Sequence, residues 1–412
     1  MITLLHVIDT LGTGGAERQL TQFLIRSDRS RFRHVLCSLM GPQRFARDLT
    51  PAGIPFYTLG LNSRYDFLRG VIGLVRLAQV LRPQIIHVTL YHASVIGRLM
   101  GRILGLPVLT TLVNTTYEPE WRMDNPHLKP WKVWALHRLD AVTARRWGTA
   151  FVALTPAVGR SAARTLGISP EKIAVVPRGF PFDEAPVVPL GDERRAIRDH
   201  LAPNADPLLL NVGRLVPQKG QRYVIRAMSR VLRASPHAHL LIAGEGWLRR
   251  DLEALIEAER LERHVTLLGE RQDVDVLVAL ADIFVFPSLF EGFGVALLEA
   301  MAQGKPTVAS DLLTIRDVTD GGRHARLVPI RSPDALAEAI IALATDRVEA
   351  ATLGMGAFRW ARERFDIRTS VAALEQLYEA ILNRGPLSIS SSSWDGLATV
   401  PAGLTDGVRT KR

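Results

Sequence analysis

The chain has 412 residues, 47% of them apolar and 22% charged, with one cysteine and a formal charge of +10. That length points to two or three domains at roughly 100–200 residues each, the lone Cys37 excludes a disulfide scaffold or a cysteine-rich metal site, and no apolar run reaches the ~18–20 residues of a bilayer span. The excess charge is confined to the front, where residues 1–180 hold 23 Lys and Arg against 10 Asp and Glu. Such asymmetry suits an anionic partner, a phospholipid surface or a lipid-linked phosphate, and no helix-turn-helix, zinc-finger or aromatic–basic pattern supports nucleic acid.

Short β-branched or Leu-rich runs alternate with helical stretches along almost the whole chain. The opening MITLLHVIDT has no basic n-region or small-residue cleavage site, so it reads as a first strand and not as a signal peptide; the expected location is cytoplasmic, with a peripheral position at the inner membrane face left open by the basic front half. The pattern predicts strands over 2–9, 34–39, 55–60, 85–89, 108–113, 151–155 and 174–177, with helices including 16–26, 68–81, 93–104 and 130–146. Residues 181–206, rich in proline around a charged stretch, read as a linker with one short helix. Strands resume at 208–212, 239–243, 265–268, 283–286, 307–310 and 326–328, with helices including 221–234, 248–260, 295–302 and 333–344. Helices at 358–364 and 369–382 follow, then a Ser/Gly-rich stretch over 385–412 expected to be disordered. The expected division is 1–180, 181–206, 207–356, 357–384 and the tail. Alternating β and α at this spacing argues α/β architecture, with parallel sheets covered by helices on both faces.

Ligands of open parallel sheets bind beyond the strands' C-terminal ends, so polar residues just after strands are the candidates. The first strand runs into a Gly-rich turn holding Gly14 and Gly15, whose N–H groups and following helix N-terminus can meet an anion. It is not a GxGxxG dinucleotide fingerprint. The strand at 208–212 runs into Gly213-Arg214 and then Pro217-Gln218-Lys219-Gly220; a guanidinium and an ammonium bracketing one turn can grip a diphosphate from two sides. After the strand at 283–286 comes Pro287-Ser288-Leu289-Phe290-Glu291-Gly292-Phe293-Gly294, leading into a helix that carries Glu299 among Leu297, Leu298, Ala300 and Met301. Two carboxylates facing one crevice suit the vicinal hydroxyls of a sugar ring. Asp273-Val274-Asp275 reads as a helix cap.

The Glu291…Glu299 spacing with EGFG, followed by GKP and TVASD, resembles the signature of retaining glycosyltransferases of family 4, and GGAE, VGRLVPQKG, AGEG, VTLLGE and DVTDGG extend the likeness over most of the chain. The resemblance implies a GT-B fold, two facing Rossmann-like doubly wound domains with a deep cleft, and transfer from a UDP- or GDP-linked sugar to a saccharide or lipid-linked acceptor. It implies that Arg214 and Lys219 neutralise the diphosphate and stabilise the leaving nucleotide, that Glu291 binds donor-sugar hydroxyls with Gly292, Phe293 and Gly294 beside it, and that Glu299 binds the ribose. Gly14 and Gly15 would close over the phosphates, while Gly244, Glu245, Gly246, Leu268 and Gly269 would surround the base. No metal or other cofactor is expected. Two departures fall on the acceptor side. Val113 and Asn114 stand where the family often has a histidine, so Asn114, His92 or the nearby His87 is expected to serve the cleft. Arg178 stands in PRGF where PNG is usual, and is expected to contact a phosphate. A sugar-nucleotide 2-epimerase and an inactive sugar-nucleotide-binding subunit are the alternatives.

Overall fold

The computed structural model describes residues 1–383 apart from residues 13, 42, 64–65, 120, 122–128 and 185–190. Its front unit is built on β1 (Ile2–Ile8), β2 (Phe32–Ser38), β3 (Phe56–Thr58), β4 (Ile85–Thr89), β5 (Val108–Leu112), β6 (Ala150–Ala153) and β7 (Ile173–Val175). These are interleaved with α1 (Gly15–Arg26), α2 (Ala46–Leu49), α3 (Phe67–Leu81), α4 (Tyr91–Leu104), α5 (Pro130–Trp147) and α6 (Pro156–Leu166). The strands lie in the order β3-β2-β1-β4-β5-β6-β7, and every pairing is parallel.

After α7 (Gly191–Leu201) the back unit repeats the scheme with β8 (Leu208–Val212), β9 (His239–Ala243), β10 (Val265–Gly269), β11 (Ile283–Phe286), β12 (Thr307–Ser310) and β13 (Arg326–Val328). Its helices are α8 (Gln221–Ala234), α9 (Arg249–Ala258), α10 (Val274–Leu280), α11 (Val295–Ala302), α12 (Leu313–Val318), α13 (Pro333–Thr345) and α14 (Arg347–Arg364). The order β10-β9-β8-β11-β12-β13 is again wholly parallel. The expected α/β class is therefore the one adopted, and the strands fall within two residues of their predicted bounds.

Burial on both faces explains the continuous apolar runs. Successive side chains of a strand point to opposite faces, so Leu4 and Ile8 of β1 enter one core cluster while Leu5 and Val7 enter another. In the back sheet, Leu208 and Leu210 of β8 face one cluster and Leu209 the other.

The last helix among the described residues, α15 (Ile367–Leu382), returns to the front unit. Ile367, Val371, Leu377, Tyr378 and Ile381 join the cluster of Leu4, Phe32, Leu36 and Leu109, and each fully buried side chain of this kind contributes about 1.5–3 kcal/mol. The chain thus crosses between the units twice, and the crossings touch. Phe180 N–H donates to Phe365 O at 2.8 Å and Ile367 N–H to Phe180 O at 3.1 Å.

Three expectations need correction. The 358–364 helix is the end of α14, which begins at Arg347, so the boundary expected at 356/357 lies inside one helix. Helix α6 was not anticipated; Thr155 caps it, accepting from Val158 N–H at 3.2 Å. Asp273 does occupy the N-cap position of α10, but its carboxylate makes no capping bond and is engaged by Arg271 at 2.8 and 2.6 Å. The expected tail at 385–412 lies outside the described residues.

Candidate active site

Strand order reverses between β1 and β4 in the front sheet and between β8 and β11 in the back sheet. A crevice opens beyond the C-terminal ends of parallel strands at such a reversal. The loops at these four strand ends are those that hold most of the candidate residues.

In the back unit, the loops after β8 and β11 are locked together. Lys219 Nζ forms an ion pair with Glu291 Oε1, and Ser288 Oγ donates to the same oxygen at 2.9 Å. Glu291 is buried, only 7% exposed, yet has two donors. Buried Gln218 ties the loops a second time: its amide donates to Phe290 O at 2.9 Å, and its own carbonyl accepts from Leu289 N–H at 2.7 Å. Arg214 stays exposed beside them, reaching Gln218 Oε1 at 3.4 Å. The ammonium and one carboxylate therefore meet directly, with the guanidinium at the rim.

The second carboxylate has a different partner. Glu299 lies within α11 and accepts from Arg18 Nη1 of α1 at 2.8 Å, across the two units. Burial raises its pKa, partly offset by the Arg18 charge. The neighbouring Glu17 points back into the front unit, where Thr10 Oγ1 donates to it at 3.3 Å. Burial raises its pKa too, and Arg214 lowers it from the other side. The first turn of α1 thus engages both units through adjacent residues. Gly14 lies against the Glu17 carboxylate and Gly15 against Val295 at the start of α11.

Gly292 shows how closely the units approach. A Cβ there would stand 1.9 Å from Val113 O and 2.9 Å from Asn114 Cα, an overlap no backbone tolerates. Asn114 is thereby placed beside the EGFG loop, its Oδ1 accepting from Thr115 N–H at 2.8 Å. Gly294, with φ of +85°, turns the chain into α11 in a region L side chains avoid. Phe293 does not present its side chain to this cluster; it is buried edge-on against Phe365, 5.3 Å between centroids. The ring expected beside the donor is instead claimed by core packing.

His92 is bound to Asp9, Nδ1 to Oδ2 at 2.8 Å, while Ala93 N–H donates to Asp9 Oδ1 at 2.7 Å. It stands at the front reversal point, oriented by a carboxylate. His87 does not reach the cleft. Its ring bonds Tyr378 OH and Thr111 Oγ1, both at 2.7 Å, and burial lowers its pKa to about 3. Arg178 likewise turns inward, lining a small cavity with His87, Thr111 and Ser370. Burial lowers its pKa to about 10, offset by the Glu17 charge.

The loops expected around a base are joined by backbone bonds. Gly213 N–H donates to Ala243 O at 3.0 Å, Leu215 N–H to Glu245 O at 2.9 Å and Gly244 N–H to Gly269 O at 2.8 Å. Gly246 packs over Leu215 O, and Leu268 rests on the core. The Glu245 carboxylate pairs with Arg249 at 2.5 Å, both side chains partly exposed.

Glu17, Arg18, Ser288 and Gln218 were not singled out as site residues from sequence. Glu17, Ser288 and Gln218 lie inside the glycine-containing motifs after β1, β11 and β8; Arg18, a cation on an amphipathic helix, carries no sequence signal. Asp317 belongs with them, since its carboxylate accepts from Ala157 N–H of α6 at 2.7 Å and makes a second bridge between units.

Comparison with known proteins agrees with this layout. The family model "Glycosyltransferase Family 4" matches residues 13–184 and "Glycosyl transferases group 1" matches residues 192–360. The chain is 26% identical over 321 residues to the Escherichia coli UDP-Gal:alpha-D-GlcNAc-diphosphoundecaprenol alpha-1,3-galactosyltransferase, covering 76% of this chain and 80% of that one. It is 34% identical over 176 residues to the Mycobacterium leprae phosphatidyl-myo-inositol mannosyltransferase, covering 41% and 45%. The crystal structure of Anabaena HepE in complex with UDP and glucose superposes with a TM-score of 0.78 at 21% identity, over 92% of this chain and all of that one.

Proposed function

The chain belongs to the glycosyltransferases described by the family 4 and group 1 models and has their GT-B fold, and on that footing we propose that it moves a sugar from a nucleotide-diphosphate sugar to a saccharide or lipid-linked acceptor. The observation that carries the reading is the Lys219–Glu291 pair at the β8/β11 reversal, with Arg214 beside it. Lys219 and Arg214 supply the positive charge that a departing diphosphate needs, and preorganised charge of this kind is usually the largest single term in transfer chemistry. This supports a metal-independent reaction. Glu291 would accept from donor-sugar hydroxyls and Glu299, held by Arg18, from the ribose.

The proposed course retains anomeric configuration. The bond from the anomeric carbon to the phosphate oxygen breaks, the acceptor oxygen bonds that carbon on the same face, and the acceptor proton passes to the leaving diphosphate. A thermal-shift screen against UDP- and GDP-sugars comes first, since a true donor stabilises by mass action. Transfer is then followed with and without a chelator, and the product anomer is read by NMR. Activity lost on chelation, or an inverted product, would overturn those parts of the reading.

A further inference from the structure

Helices α3, α4 and α5 form one continuous layer on the front unit, α3 packed on α4 and α4 on α5. Between them these helices carry a single carboxylate, Asp140, and it is buried on Arg98 at 2.6 Å. Asp66, immediately before α3, pairs with Arg69. The outward face of the layer is apolar and cationic together. On α5, Trp131 is 63% exposed, Trp134 65% and Leu139 40%, and Lys132, Arg138 and Arg146 are exposed around them. Lys132 lies over the Trp131 ring and Arg138 over Trp134, so each indole comes with its own cation. Leu68, Ile72 and Val80 of α3 and Ile103 of α4 continue the exposed apolar surface.

Folding does not account for two indoles left in water. Val133, Ala141 and Ala144 already fill the inner face of α5. Trp beside Lys and Arg is the composition that settles at a membrane–water interface, rings at headgroup level and cations on lipid phosphates. We infer that the outer face of α5, with α3 and α4 beside it, seats this protein on an anionic lipid bilayer. No helix among the described residues is long and apolar enough to cross a membrane, so the contact is peripheral. In a βα unit a helix begins at the end where its strand finishes. Trp131 and Trp134 open α5, downstream of β5 and of Asn114 beside the EGFG loop. A bilayer held there would meet the front unit on the side where a lipid-linked acceptor enters.

The test uses the full chain and vesicles containing neither acceptor nor donor, which separates this inference from the proposed reaction. Co-sedimentation is compared on phosphatidylglycerol/phosphatidylcholine and on pure phosphatidylcholine vesicles, for the wild type, Trp131→Ala/Trp134→Ala and Lys132→Glu/Arg138→Glu. The substituted side chains are exposed, and unchanged thermal midpoints verify the fold. A cation at an anionic surface is worth about fivefold in partitioning, so reversing two lowers binding by roughly 25-fold or more. Removing both indoles lowers it by on the order of tenfold, and their fluorescence shifts to the blue on wild-type binding. Equal binding of the wild type and both variants, equal binding to neutral vesicles, or no binding at all would overturn the inference. So would a wild-type dimer that the Trp variant dissociates while vesicles are ignored, since the face would then be a contact between copies of the chain.

Discussion

Lys219 and Glu291 belong to separate loops of the back unit, 72 residues apart, yet their charged groups are in contact, with Ser288 on the same carboxylate oxygen. The pair is mostly buried, so neither charge has much water to fall back on.

Glu291→Ala and Lys219→Ala should each lower transfer by on the order of 10²–10³, the loss expected when one preorganised charge is removed. Each also leaves a buried charge without its partner, so some thermal stability goes with it. Nucleoside diphosphate release in the presence of acceptor measures the first effect and a melting curve the second. Full activity in both variants would remove this pair from the chemistry.

The Arg18–Glu299 bridge should matter more for activity than for stability. Arg18 is half exposed, and such pairs are worth about 0–1 kcal/mol to folding. Burial already raises the Glu299 pKa, and Arg18 is the charge that restrains it. Arg18→Ala should push that pKa higher still. If ionised Glu299 holds the ribose, the acid limb of kcat/KM moves to higher pH in the variant. An unmoved limb would argue that Glu299 does not bind donor as a carboxylate.

Gly292→Ala should separate binding from turnover. The added methyl group collides with Val113 O of the front unit, forcing the units apart without disturbing the back unit's own core. Donor binding, read by thermal shift, should hold within a few-fold, while turnover falls by about 10², a typical cost of misplacing reacting groups by an ångström. Equal losses in both would mean that the substitution damages the back unit itself.

Acid should loosen the front unit. His34 bonds His6 and Ser27, Ser27 bonds Glu375 of α15, and His87 bonds Tyr378 of the same helix. Burial lowers the pKa of His34 to about 4 and of His87 to about 3. Both imidazoles are neutral when folded but take up protons near pH 6.5 when unfolded. Stability is therefore full above that pH and falls as pH drops toward 4, by about 1.4 kcal/mol per pH unit for each group. Melting temperature should decline steadily from pH 6.5 to 4, and less steeply in His34→Gln. A flat profile would contradict the assignment.

What the sequence made legible was what depends on neighbours in the chain. Strand positions followed from apolar runs such as LLLNV, and Lys219, Arg214, Glu291 and Glu299 from their places just after strands or early in helices. The helix expected at 358–364 begins earlier, at Arg347, and runs through Gly354 and Gly356. Gly354 lets the helix lie against the Gly304 carbonyl, where a Cβ would come within 2.1 Å. Arg18 could not be found at all, since its partner is 281 residues away. His87 was misread for the same reason: Tyr378, the group that holds it inside, is 291 residues distant.

The return of α15 to the front unit limits how such a protein can be recombined. Severing the chain anywhere in the connection before β8 would strip the front sheet of the helix that covers Leu4, Phe32 and Leu109, exposing a greasy trough. A chimera that borrows its back unit from a relative must therefore inherit the sixteen-residue helix α15 from the same parent as its opening strand. Heredity here is interleaved: β1 to β7 and α15 form one module, and the stretch between them is the exchangeable cassette.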